Sequence, residues 1–375
     1  MKFLFIVQGE GRGHLTQALA LEDILRRNGH EVVEVLVGKS NSRELPDFFS
    51  HKIQAPIQRF TSPNFLPTPS NKRVSLSRSI VYNLIKLPTY LKSMHFLKKR
   101  IQESRVDLVI NFYELLTGLT YLFLAPGIPQ ICIGHQYLFL HKDFVFPDKN
   151  RLSLFMLKLF TQLTCLEARE CLALSFRRME EDEIRGIRVV PPLLRKEALQ
   201  STSSKGDYIH GYMVNSGFSE SIRKWHLRNP SVMLHFFWDK RGADTPLEIA
   251  PTLTFHPLDD VRFLHSMAGC RAYATTGGFE SVCEAMYLGK PVLMVPAHIE
   301  QDCNAFEASR YGAGILSPEF ELDKLLAFSE TYHPLPEFPR WVRNAEFIFL
   351  RELEKRPTLN YPPLTESTMP GLWPA

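Results

Sequence analysis

The 375-residue sequence predicts an α/β protein made of two halves, each a mostly parallel sheet flanked by helices. Three observations lead there. The length exceeds the roughly 250 residues at which a single core stops growing. Short continuous apolar runs, the mark of strands covered on both faces, alternate with segments of helical period. That series occurs twice, once in each half of the chain. A composition of 45% hydrophobic and 22% charged residues excludes collagen, disorder and disulfide scaffolds. The six cysteines, at 132, 165, 171, 270, 283 and 303, lack metal-ligand spacing and read as reduced thiols.

In chain order, residues 3–7 form a five-residue apolar run, too short for a signal peptide and suited to a buried first strand. A glycine-rich turn follows, then a helical pattern in Leu15, Ala18, Leu19, Leu21, Ile24 and Leu25, closed by Asn28-Gly29. Strands are predicted at 31–37, 106–111 and 130–134. The longest stretch without Asp, Glu, Lys or Arg runs over 115–141, but Pro126-Gly127-Ile128-Pro129 breaks it, so a helix at 115–124 is predicted rather than a membrane span. The second series has strands at 208–214, 232–238, 253–256, 272–275 and 291–295, and helices at 219–229, 261–268 and 279–288. The chain therefore divides into 1–192 and 205–335, with a final helix at 338–355 packing back on the first unit and an irregular Pro-rich tail at 357–375.

Two loops carry the chemistry. Gly9-Glu10-Gly11-Arg12-Gly13-His14 follows the first strand and opens a helix, so Gly11 and Gly13 suit a loop that admits an anion or acceptor. It is not a dinucleotide fingerprint: His14 stands where the last glycine belongs, and no acid ends the second strand. A tight turn with a capping histidine is the plainer alternative. The second loop, Thr275-Thr276-Gly277-Gly278-Phe279, leaves a strand for a helix and offers bare N–H groups to a phosphate oxygen. Glu284, in that helix, has two oxygens suited to a vicinal diol, although a solvated surface position would also explain it. Glu300 and Gln301 fall at a strand's carboxyl end, where open α/β sheets bind ligands.

The run from Thr275 to Ala285, with Leu-Gly-Lys-Pro-Val-Leu-Met-Val-Pro at 288–296 and Glu-Gln-Asp-Cys-Asn-Ala at 300–305, resembles the donor-binding segment of GT-B fold glycosyltransferases. The MurG-like and UDP-glucuronosyltransferase-like groups are the nearest, and Gly-Arg-Gly-His at 11–14 resembles the glycine loop of the MurG-like acceptor domain. The resemblance implies two Rossmann-like domains facing across a cleft, the first binding acceptor and the second a nucleotide sugar, UDP-linked. It implies that Glu284 holds the ribose, Gly277 and Gly278 the pyrophosphate, and Glu300 and Gln301 the donor sugar hydroxyls. Thr276 falls where His or Arg is usual, Gly217 in the glycine loop after the first donor-domain strand, and Phe255 where the base is held. Glu280 departs from the pattern, replacing the Asn of plant relatives beside the phosphate.

Transfer needs a base for the acceptor hydroxyl and a stabiliser for the leaving diphosphate. His14 is the expected base and Glu114 its orienting partner. Asp259-Asp260 is the one Asp-Asp pair and has no third acid at ligand spacing, so an inverting, metal-independent hexosyl transfer is expected, with no metal and no cofactor beyond the nucleotide-sugar substrate. A nucleotide-sugar 2-epimerase and a non-catalytic sugar- or lipid-binding relative are the alternatives. Residues 1–200 carry net charge +9 and residues 201–375 net −5. Nine of the basic residues lie in 71–105, interleaved with Ile80, Leu84, Leu87, Leu91, Met94 and Ile101 around a Pro88 kink. With 151–160, this basic amphipathic segment suits an anionic membrane surface, and equally a core-packed stripe with solvated charges. The expectations are a glycan or lipid-linked acceptor and a cytoplasmic location, peripheral on the inner face of the cell membrane. No nucleic-acid reading module is present, so no nucleic-acid partner is expected.

Overall fold

The structure is a computed structural model that describes residues 1–40, 45–63, 82–214, 216–239 and 245–355. Two seven-stranded sheets carry the fold. The first holds β1 (Lys2–Gln8), β2 (Glu31–Lys39), β3 (Ile57–Thr61), β4 (Leu108–Phe112), β5 (Gln130–Gly134), β6 (Glu170–Leu174) and β7 (Ile187–Val190). Its order is β3-β2-β1-β4-β5-β6-β7, every pair parallel. The second holds β8 (Tyr208–Met213), β9 (Met233–Trp238), β10 (Leu247–Ala250), β11 (Leu253–Pro257), β12 (Ala272–Thr275), β13 (Val292–Met294) and β14 (Gly314–Leu316). Its order is β10-β11-β9-β8-β12-β13-β14, parallel except for the antiparallel edge strand β10. The α/β class with two Rossmann-like sheets is thus present in full.

The continuous apolar runs became the central strands because helices cover both sheet faces. All five residues of β4 and of β5 are buried. The break at 125–129 acts as its residues require: helix Leu115–Leu124 ends at Ala125 in the left-handed region (φ 39°), Gly127 turns at φ 87°, and β5 begins. The strands absent from the sequence reading, β3, β6, β7, β10 and β14, have five residues or fewer. The helical pattern breaks beside Pro88, as expected: residues 82–85 are helical, Lys86 turns, and Pro88 stands in the first turn of the next helix, Leu87–Glu103, where its missing N–H is no loss. The expected final helix is two, Glu337–Arg343 and Ala345–Leu353, meeting at Asn344. They reach the first sheet's side of the molecule: Glu346 accepts from Arg27 at 2.8 Å, and Trp341 Nε1 donates to the Ser175 carbonyl at 3.0 Å.

Each sheet reverses its strand order once, at β1/β4 and at β8/β12, and it is outside the carboxyl ends of such strands that a crevice forms. Part of the basic segment (residues 71–81) and the 357–375 tail lie outside the described residues. Within the described part, the apolar stripe divides. Met94, Leu97 and Ile101 are buried, whereas Leu84, Leu87 and Leu91 are exposed. Among the described residues, no helix is long and apolar enough to cross a membrane.

The helix Leu115–Leu124 packs against Arg151–Thr164 through Gly118, where a Cβ would stand 2.2 Å from the Leu163 carbonyl oxygen. Gly118→Ala is expected to destabilise the protein by about 1–3 kcal/mol, the range for overpacking a tight contact. Chemical denaturation checks it, and an unchanged midpoint would show that the two helices separate freely.

Candidate active site

The crevice is lined by loops from the carboxyl ends of both sheets. After β1, the glycine loop leads into helix Arg12–Arg27, whose first turn carries His14. The ring is buried between Tyr113, after β4, and His135, after β5, with ring centroids 5.5 and 6.5 Å away. His14 Nδ1 lies 3.2 Å from Gln17 Oε1, and Nε2 lies 3.1 Å from Gln136 Nε2. Burial, with the neighbouring His135, lowers its pKa from 6.5 to about 4. The imidazole is therefore neutral at pH 7.

Glu300, in the first turn of helix Ile299–Arg310, enters the same cluster from the second half. It accepts from Gln136 Nε2 at 3.1 Å and meets His135 Nε2 at 3.0 Å. Burial opposes its charge, but the His135 hydrogen bond and the His135, His298 and His14 charges outweigh this and hold its pKa at about 2. Asn304, one turn on, lies 3.1 Å from His135 Nε2. Phe279 stacks face to face on the His135 ring at 4.6 Å and closes the cluster's second-half side.

The turn after β12 bends through Gly277 at φ 82°, a conformation that favours glycine. Gly278 is the N-cap of helix Phe279–Tyr287 and supplies no side-chain cap. Thr276 is buried, its hydroxyl accepting from Val214 N at 3.4 Å across the β8/β12 switch point. Gly217 lies in the short 3₁₀ turn Ser216–Phe218. The Glu280 carboxylate accepts from Gln17 Nε2 and lies where a Cβ on Gly13 would stand. Gly11 has room for a Cβ, whereas Gly13 does not.

Four expected roles meet a different arrangement. Both oxygens of Glu284 accept from Arg195, which also pairs with Asp260, so no free carboxylate faces a diol. Arg195 is the N-cap residue of the short linker helix Lys196–Gln200. Asp260 in turn holds Lys52 of helix Asp47–Lys52 at 2.6 Å. Phe255 faces the core beneath helix Ser219–Arg228, fully buried and stacked on Trp238 at 4.7 Å, because strand alternation sends His256 to the other face. It cannot hold a base without that core opening. Glu114 does not reach His14: it caps helix Leu115–Leu124 through Thr117 N at 3.0 Å and accepts from Ser62, and burial raises its pKa to about 7. Gln301 also acts locally, its Oε1 accepting from Ala297 N at 2.9 Å.

Sequence reasoning missed Gln17, His135, Gln136 and Arg195. His135 and Gln136 directly follow β5, and the rule that ligands gather at strand carboxyl ends singles out that position. Gln17 lies one helical turn after His14, on the same helix face. No spacing signal announces Arg195.

Two Rossmann-like sheets whose carboxyl ends meet across a polar crevice define the GT-B class. The chain belongs to glycosyl transferase family 1, whose profile matches residues 1–331, and it is a glycosyltransferase. No curated protein sequence matches it. Similar solved structures include the glycotransferase of kitacinnamycin, 18% identical with TM-score 0.62, covering 94% of this chain and 98% of that one. Medicago truncatula UGT71G1, complexed with UDP-glucose, is 15% identical with TM-score 0.60, covering 94% and 97%. The spinosyn rhamnosyltransferase SpnG, complexed with spinosyn aglycone, is 15% identical with TM-score 0.59, covering 95% and 100%. At these identities the likeness establishes the fold.

Removing the linker guanidinium strands the buried carboxylate of Glu284 and leaves Asp260 with Lys52 alone. Arg195→Ala is expected to cost about 3–5 kcal/mol in chemical denaturation, as for a broken buried pair. Adding Glu284→Gln should recover part of that loss, and an undiminished Arg195→Ala variant would show that the network contributes nothing to stability.

Proposed function

We propose that the protein transfers a sugar from a UDP-sugar to an acceptor hydroxyl, with inversion and without a metal, using His14 as the base. The observation that carries this reading is the place of His14: at the β1 carboxyl end, neutral, set between two loops of the first sheet and linked to Glu280 and Glu300 of the second half through Gln17 and Gln136. Its Nε2 faces the amide of Gln136, which must swing aside for an acceptor hydroxyl to reach the ring. The departing diphosphate would meet the Gly277-Gly278 turn and the N-terminus of helix Phe279–Tyr287, where backbone N–H groups and the helix dipole stabilise developing negative charge. Glu300 and Gln301 would receive sugar hydroxyls. His135 Nδ1 and Gln136 Oε1, both buried, have no hydrogen-bond partner among the described residues, and a hydroxyl-rich ligand would satisfy them. Glu284 would receive the ribose on the lone pairs that Arg195 leaves open.

His14→Ala is expected to lower turnover about 10²–10⁴-fold while leaving UDP affinity within about twofold, read by UDP release and by calorimetry. The base must be neutral, so activity should persist as pH falls through 6.5 and be lost only near the His14 pKa of about 4. Unaltered turnover in the variant would remove His14 from the chemistry. Thermal-shift titration with UDP-, GDP- and TDP-sugars tests the donor, and silence with all three would overturn the donor reading. A rearranged free sugar formed without acceptor would favour the epimerase.

We further propose that the acceptor is lipid-linked and that the first half docks on an anionic bilayer. Helices Leu87–Glu103, Leu115–Leu124 and Arg151–Thr164 lie side by side and expose Leu87, Leu91, Phe123, Leu152 and Phe155. Lys86, Lys92, Arg151 and Lys158 stand on or beside the same helices. The protein should sediment with phosphatidylserine-containing vesicles and not with phosphatidylcholine alone, and Leu152→Glu/Phe155→Glu should abolish it. Equal recovery with both lipids, or none with either, would sink this docking.

A further inference from the structure

The contacts of Gln17 fix more than the position of His14. Gln17 is fully buried one turn after His14, with its two amide atoms engaged on opposite sides. Its nitrogen donates to Glu280 Oε1, and its oxygen lies 3.2 Å from His14 Nδ1. The amide N–H donates to Glu280, which leaves the amide oxygen, an acceptor only, for the ring. His14 Nδ1 must then carry the proton, and Nε2 holds the lone pair. The opposite side agrees. Gln136 Nε2 lies 3.1 Å from His14 Nε2 and 3.1 Å from Glu300 Oε1, so one NH₂ group donates to both acceptors. Two carboxylates of the second half thus set the direction of every hydrogen bond through an imidazole of the first half.

We propose that Gln17 and Glu280 are the positioning pair of His14, fixing its Nδ1–H tautomer and aiming the basic Nε2 at the acceptor only when the two halves meet. This rests on His14 being the base, and it assigns the orienting role to an amide backed by a carboxylate across the crevice, in place of Glu114. The third glycine of the loop is consistent with the placement: a Cβ on Gly13 would meet the Glu280 carboxylate, the end of a flexible side chain, and glycine leaves it in place. An amide next to the ring also differs chemically from a carboxylate. It orients Nδ1–H without adding a negative charge that would favour imidazolium.

The test needs no substrate. Protein labelled with ¹⁵N-histidine is examined by long-range imidazole NMR, and His14 is assigned by its loss in His14→Gln. The wild-type ring should be the Nδ1–H tautomer at pH 7. In Gln17→Leu and in Glu280→Gln the ratio of Nδ1–H to Nε2–H should fall about fivefold, the worth of one buried hydrogen bond. Gln17→Glu/Glu280→Gln exchanges the two groups. It should restore the tautomer and raise the His14 pKa by about one to three units, with the facing His135, Tyr113 and Glu300 unaltered. An Nε2–H tautomer in the wild type, or a tautomer indifferent to Gln17→Leu, overturns the proposal. The wild-type spectrum and the exchange variant decide the matter even if Gln17→Leu does not fold. Failure of the base assignment is read separately, as undiminished turnover in His14→Ala.

Discussion

The hydrogen bond from Gln17 to Glu280 ties the helix that carries His14 to the helix that follows the Gly277-Gly278 turn. Much of the crevice depends on that one contact. Gln17 also meets His14, so the Glu280 carboxylate and the imidazole are held through a single amide. Phe279, one residue before Glu280, stacks on His135, and Glu284, one turn later, meets the linker at Arg195. Gly13 leaves the carboxylate its place: a Cβ there would meet the far end of that flexible side chain and displace it first.

The charge asymmetry of the chain acquires a location. Across the crevice the first half and the linker supply Lys52, Lys149 and Arg195, and the second half supplies Asp260, Asp302 and Glu284. These pairs do not contribute equally. Lys149 and Asp302 are partly exposed, so solvent screens them and they add little. Arg195, Glu284 and Asp260 are largely withdrawn from water, where desolvation offsets much of the Coulomb gain but breaking one partner leaves the others uncompensated. The inner network thus specifies how the halves meet more than how tightly.

What could be read from the sequence was what depends on neighbours in the chain. Central strands such as β4 and β5 announce themselves because all their residues are buried, and the break at 125–129 because proline and glycine act locally. Edge strands escape: β10 is exposed along most of its length and β14 has three residues, so neither shows a hydrophobic run. At the site, the two glycine loops were visible as strand-to-helix turns, but the pairings of their side chains were not. Arg195 and Glu284 are 89 residues apart, and Gln17 and Glu280 are 263 apart. Phe255 shows a subtler limit. One residue of register decides which side chain of β11 faces the closed core, and Phe255 packs there with Leu234, Phe236 and Leu253 while His256 meets His235 on the other face.

A polar crevice differs from an apolar one in what opening requires. An apolar interface of the same extent would expose surface that water solvates poorly, whereas carboxylates, imidazoles and amides are solvated well and exchange protein partners for water or ligand hydroxyls at little net loss. Glu284 makes the exchange explicit. Arg195 takes one lone pair on each of its oxygens and leaves each a second, so a hydroxyl donating to either shares the carboxylate with the linker guanidinium. A ligand there would weaken the Arg195 contact without having to break it, and would so change the tie between helix Lys196–Gln200 and the second sheet's helices. Ligand occupancy and the setting of the two halves are coupled, because one carboxylate accepts from both.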